Sequence, residues 1–183
     1  MSKKTDLKNK DSHHTFDLCL TGVLCALAIA GRMALWVAPN IQPVTAIVIL
    51  IAVYVGLHYG IASAVVVPFV TNLLMGSLGM WTVYQMLSWG VIALLSWLFF
   101  RKKKSYTGLF LWSIVAAYIY GLIIDLCSWR VFATGTGIEG FLTYELSSLL
   151  YDTYHAIGNG IFISVFQPIL AMFLKKHFPA QGE

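Results

Sequence analysis

The chain has 183 residues, of which 58% are hydrophobic and only 11% charged, and its mean hydropathy is +0.76. A water-soluble domain carries about a quarter charged residues, so this composition excludes disordered, collagen-like and nucleic-acid-binding classes and points to a protein whose solvent is mostly lipid. The net charge of +4 is a matter of placement, because ten of the 12 Lys and Arg residues lie in three clusters: Lys3, Lys4, Lys8 and Lys10; the run Arg101 to Lys104; and Lys175 with Lys176.

In chain order, the pattern predicts a polar N-terminal tail over 1–17, a single membrane domain over 18–176 and a short C-terminal tail over 177–183. Apolar stretches of the length a bilayer requires predict helices near 18–37, 44–58, 60–78, 81–100, 107–128 and 148–174. The first is preceded by basic residues and carries a cleavage-like Ala28-Ile29-Ala30. It stays apolar to Val37 apart from Arg32, so it reads as an uncleaved helix. The second is short and follows Pro39 and Pro43. The range 44–78 also reads as one long bent segment, but Gly56 and the pair Tyr59-Gly60 offer a turn that favours two helices.

The expected fold class is therefore an all-α membrane protein, a six-helix bundle with both termini inside. Six spans bring all three basic clusters to one side, which is the positive-inside pattern; five would divide them. The outer side then holds the turns near 38–43, 77–80 and 129–147. Cys19, Cys25 and Cys127 show no paired spacing and read as packing residues.

Polar groups inside a membrane are costly, so their positions are the best functional signal. In this orientation nearly all of them fall in the outer leaflet: Arg32 on helix 1, Asn72 on helix 3, Tyr84, Gln85, Ser88 and Trp89 on helix 4, Asp125 on helix 5. Asp152, His155 and Asn159 follow on helix 6 at i, i+3, i+7 and share one face. With Trp81 they predict an outward-facing binding cup, closed by Arg32 and Asp125. The inner halves carry little comparable chemistry beyond Gln167, which argues against a pore.

Each residue also has a simpler reading. Asp125, Glu145 and Asp152 equally suit headgroup water, Arg32 can reach the outer interface along its own stem, and Trp36, Trp81 and Trp129 suit an aromatic belt. For His155 an interhelical hydrogen bond is simpler than metal ligation. No metal site and no catalytic residue is assigned.

Helix 1 carries Gly22, Ala26, Ala30 and Ala34, a small residue at every fourth position, which lets a second helix approach closely. That partner is either a neighbour in the same bundle or another protein. Gly135 to Gly140 matches the G-x-G-x-x-G spacing of dinucleotide sites, but the pattern requires a strand before it and a helix after it. In an outer loop the glycines instead serve turn geometry or a lid over the cup.

The six-span plan, the Ala-x-x-x-Ala ridge and the outward cup resemble the substrate-binding S components of energy-coupling factor (ECF) vitamin transporters, over essentially the whole chain after residue 16. More specifically, Pro39-Asn40-Ile41-Gln42-Pro43-Val44-Thr45-Ala46-Ile47 and Gly79-Met80-Trp81-Thr82-Val83-Tyr84-Gln85-Met86-Leu87-Ser88-Trp89-Gly90 resemble segments of one branch associated with cobalamin uptake. The resemblance implies a non-enzymatic subunit of an ABC-type importer in the bacterial cell membrane. It would bind a vitamin, cobalamin in the first instance, through Arg32, Asn40, Asn72, Trp81, Tyr84, Gln85, Trp89, Asp125, Asp152, His155 and Asn159. Ala26, Ala30 and Ala34 would dock on a transmembrane coupling subunit, and two cytosolic ATPases would drive toppling and inward release. His155 would be an available axial ligand to cobalt. The same cup composition suits a flavin, a pteridine or a queuosine precursor. The alternative from another class is a non-transport membrane protein using Asp152 and His155 as an acid/base pair.

Overall fold

The computed structural model describes residues 2–177. Among them it is helical throughout, with no strand: α1 (Ser2–Ala34), α2 (Val44–Leu50), α3 (Leu57–Leu74), α4 (Met80–Phe100), α5 (Tyr106–Phe132) and α6 (Gly137–His177). Five of these helices are long and apolar enough to cross a bilayer. The chain is thus an all-helical protein with the character of a membrane bundle.

The second expected helix, near 44–58, differs from the rest. A π-helical turn over Ile51–Val55 continues α2, giving a helix of 12 residues, Val44–Val55, about 18 Å long against a hydrocarbon core of about 30 Å. Pro43 precedes its first residue and Gly56, at φ 150°, ends it. Because its sequence is apolar on every side, it has no face to offer water. It is buried along nearly its whole length and touches each of the other five helices. The one-residue turn at Gly56 forces α3 back against it. A Cβ on Gly60 would stand 2.9 Å from the Ala52 backbone, so only glycine permits that approach.

Pairs of contacts fix the direction of every helix. Tyr59 meets His14 at one end, with its hydroxyl 2.6 Å from Nδ1, and Arg32 meets Thr71 at the other, so α1 and α3 are parallel. Asn72 binds Thr82 and Gln85 across the α3–α4 turn. Trp112 donates to Ser96 across the α4–α5 turn at 2.7 Å, and Asn159 donates to the Ser113 carbonyl between α5 and α6 at 2.9 Å.

One end of the bundle therefore collects Phe16 stacked on Phe173, Gln167 donating to the Tyr54 hydroxyl, and Lys104 lying 4.8 Å over the Tyr54 ring. Arg101 lies 4.3 Å over Trp97 at the same end. The beginning of the first span, the run 101–104 and the end of α6 share this basic end, as the clustering of charge predicts.

Two boundaries depart from the sequence reading. The helix of α1 extends back to Ser2 through the segment expected as a polar tail. The loop expected over 129–147 is almost entirely helix: α5 runs to Phe132, a short 3-10 turn covers Thr134–Thr136, and α6 starts at Gly137. The segment is no free lid. The glycines suggested a turn, but Gly137 and Gly140 fall in the first turn of α6, where the leading backbone N–H groups have no intrahelical acceptor to lose. Beyond them Trp129 packs edge-on against Phe141, 5.6 Å between centroids, and holds the α5–α6 hairpin together.

Candidate functional site

Opposite the basic end, a cavity of about 560 Å³ opens between α1, α4, α5 and α6. Of the eleven side chains that the sequence marks for a binding cup, six line it: Arg32, Asn40, Trp81, Gln85, Asp125 and Asp152. The other five lie behind it. Asn72 braces the wall, Trp89 and His155 form a layer beneath, and Tyr84 and Asn159 are buried elsewhere in the bundle.

Arg32 comes from the last turn of α1. Its guanidinium donates to Thr71 Oγ1 at 3.0 Å and to Asn72 Oδ1 at 3.2 Å, and it stands 5.4 Å over the Trp89 ring. The Gln85 carboxamide lies 2.7 Å from Asn72 Nδ2. With its oxygen turned to the cavity it accepts from Arg32 Nη2 and Trp81 Nε1, both at 2.9 Å. A carboxamide presents donors on one side and an acceptor on the other, so this wall has a movable hydrogen-bonding group at its centre.

The floor is a buried polar pair inside an aromatic layer. Trp89 Nε1 donates to Thr45 Oγ1 at 2.8 Å, and the same oxygen meets His155 Nε2 at 2.7 Å. Tyr120 covers both rings, with centroids 4.9 Å from each, tilted on Trp89 and edge-to-face on His155. Thr45 comes from the buried α2, which explains why a polar residue stands in an otherwise apolar run. Thr45→Val is expected to destabilise the protein by about 2–4 kcal/mol, because it strands a buried indole N–H and a buried imidazole nitrogen together. A thermal unfolding midpoint in detergent equal to that of the wild type would show that the pair carries no stability.

Asn40 adopts φ 56°, a left-handed conformation that asparagine tolerates, and donates to the Tyr151 carbonyl at 3.0 Å. This bond ties the α1–α2 connection to α6 across the mouth. Asp125 accepts from Ser148. Asp152 rests against Gly121, where any Cβ would overlap its carboxylate. The face shared by Asp152, His155 and Asn159 is present, but it runs down the helix: Asn159 lies about 10 Å deeper than Asp152. There its amide joins α5 and α6 through the Ser113 carbonyl. His155 is held between helices by Thr45, the simpler of its two readings.

Sequence reasoning missed Tyr120, Gly121, Gln42, Tyr144, Ser148 and Tyr151, all of which line the cavity. A signal for the first two existed. Ser113, Ala117, Gly121 and Asp125 recur at every fourth position of α5, and all four are buried. Such a row marks the face that meets α6. Tyr144, Ser148 and Tyr151 stand at i, i+4, i+7 on the part of α6 that was expected as loop, so their common face was hidden.

No protein-family model, curated protein or solved structure matches this chain. The functional reading therefore rests on the site itself.

On the outside of the bundle, Gly22, Ala26, Ala30 and Ala34 are all exposed, while Thr21, Cys25 and Ala28 turn inward. A Cβ added at Gly22 would meet nothing within 4 Å. The ridge of small residues is thus not used to pack against the described helices.

Proposed function

We propose that this protein is the solute-binding subunit of an importer in a bacterial cell membrane, of the S-component kind that the sequence resembles. The observation that carries the proposal is a cavity with polar walls at one end only. Beneath it lie the Trp89, Tyr120 and His155 rings and then the apolar α2, so a solute enters and leaves by the same mouth unless the whole bundle moves. A cup of this form binds; it does not conduct.

In the orientation set by the basic end, that end and both termini face the cytoplasm and the mouth faces outward, where it captures solute. The outward small-residue ridge of α1 then supplies the surface for a transmembrane coupling subunit, through Ala26, Ala30 and Ala34. ATP hydrolysis by two partner ATPases drives tilting and release. The rival assignment of Asp152 and His155 as an acid/base pair gains nothing from the geometry, since Asp152 lines the cavity and His155 sits below it against Thr45. His155 is equally remote as an axial ligand to cobalt.

The cavity volume lies in the range of pockets that enclose drug-sized ligands, about 300–1,000 Å³. A flavin, pteridine or queuosine precursor fits inside such a space. Cobalamin, the first expectation, is larger and would project through the mouth. The test is calorimetry on the detergent-purified protein with cobalamin, riboflavin, folate, thiamine, biotin and a queuosine precursor. Tight one-to-one binding of any of them, without turnover, is the expected result; absence of binding throughout would remove the importer reading.

A further inference from the structure

The cavity walls carry opposite charges that do not meet. On the α1 side, Arg32 is satisfied by the neutral groups of Thr71, Asn72 and Gln85; among the described residues it makes no ion pair. On the α5–α6 side the wall carries Asp125 and Asp152, and Glu145 behind them brings an oxygen within 4.8 Å of both. Ser148 has one hydroxyl proton for two of these carboxylates and gives it to Asp125. Asp152, only 4% exposed, lines the cavity with its carboxylate, shares Ser148 with Asp125, and has Gly121 cut away to make room for it.

Burying charge without a partner costs several kcal/mol per group. A bundle needing only neutrality would join Arg32 to an aspartate across the gap. Keeping them apart leaves both sets open for the charges of something else. Trp81 and Tyr120 line the same cavity, and their rings suit the faces of a flat ring.

We infer that the cavity selects a compact dipolar solute, a flat heterocycle with a cationic nitrogen for Asp125 and Asp152 and a carbonyl, carboxylate or phosphate oxygen for Arg32. This rests on the solute-binding reading and narrows it. Ammonium-type donors add charge-assisted hydrogen bonds to two carboxylates that have a single Ser148 hydroxyl between them, while Arg32 offers its planar fork to the acceptor. A neutral or purely anionic vitamin leaves the carboxylates unmatched.

The test is calorimetry in detergent with EDTA present, using matched pairs that differ chiefly in the amine: 7-aminomethyl- against 7-cyano-7-deazaguanine, and pyridoxamine against pyridoxal. Thiamine is added as a fixed cation, and riboflavin, biotin, folate and cobalamin as neutral or anionic comparators. The tightest ligand is expected to bear the cation and, where it belongs to a pair, to exceed its partner by roughly tenfold or more. Asp152→Asn is expected to weaken it by roughly 30-fold or more and Asp125→Asn by roughly tenfold, with unchanged elution volume. Should Asp152→Asn fail to fold, the Asp125→Asn titration decides alone.

A tightest ligand that is neutral or anionic, or one whose affinity changes less than about threefold in these variants, overturns the dipolar assignment and leaves the importer reading in place. So does binding that EDTA abolishes, because the carboxylates then hold a metal ion. Failure of every compound to bind overturns both.

Discussion

Arg32→Met is expected to weaken binding of the cognate solute by roughly 30- to 800-fold, the equivalent of about 2–4 kcal/mol for loss of a buried charge-assisted contact. The substitution keeps the length and the apolar stem, so the contact with Trp89 is largely preserved. Among the described residues that line the cavity, it removes the only cation. The fold is expected to survive, because the groups that Arg32 touches have other partners: Thr71 donates to the Val67 carbonyl at 2.8 Å, Asn72 donates to Thr82, and without Arg32 the Gln85 carboxamide is free to turn its oxygen to Asn72 Nδ2. Arg32→Lys restores charge without the planar fork and is expected to recover only part of the affinity. Titration of both variants, with thermal unfolding as the control for folding, checks this. If Arg32→Met binds as the wild type does, the guanidinium is a membrane-interface anchor and has no role in recognition.

Ala30→Trp is expected to have the complementary effect, sparing solute binding and suppressing uptake. Ala30 lies in the middle of the exposed ridge on α1, away from the cavity. An indole there has open space in the isolated subunit, but it would hold off any helix seated on the ridge. Overpacking a close helix contact costs about 1–3 kcal/mol, or roughly 5- to 150-fold in docking affinity. Reconstituting the protein with the proposed coupling subunit and ATPases in vesicles, then measuring radiolabelled solute uptake beside equilibrium binding, separates the two. Full uptake by Ala30→Trp would show that the ridge faces lipid throughout the cycle.

Much of the architecture is legible in the chain itself. Runs of apolar residues near the length of a bilayer have one stable form in lipid, a helix with its backbone bonds satisfied internally, so the five long helices follow from composition. The clustered lysines and arginines mark one end of the bundle for the same reason, since charge must remain at the water interface. Isolated polar residues such as Arg32, Gln85, Asp125 and Asp152 mark the candidate site, because polar groups inside a membrane are costly, and all four line the cavity.

Depth and facing required the tertiary structure. His155 and Asp152 share a helical face, yet one lines the cavity and the other supports its floor, a distinction set by how far the neighbouring rings of Tyr120 and Trp89 reach over α6. Thr45 belongs to an apolar run and shows its role only when α2 is enclosed by five other helices. The gap between Arg32 and the carboxylates of α5 and α6 depends on the spacing of three helices distant in sequence. Periodicity along one helix encodes which side is polar; which polar side meets which is decided by packing between helices, where a difference of one turn moves a group between solute and core.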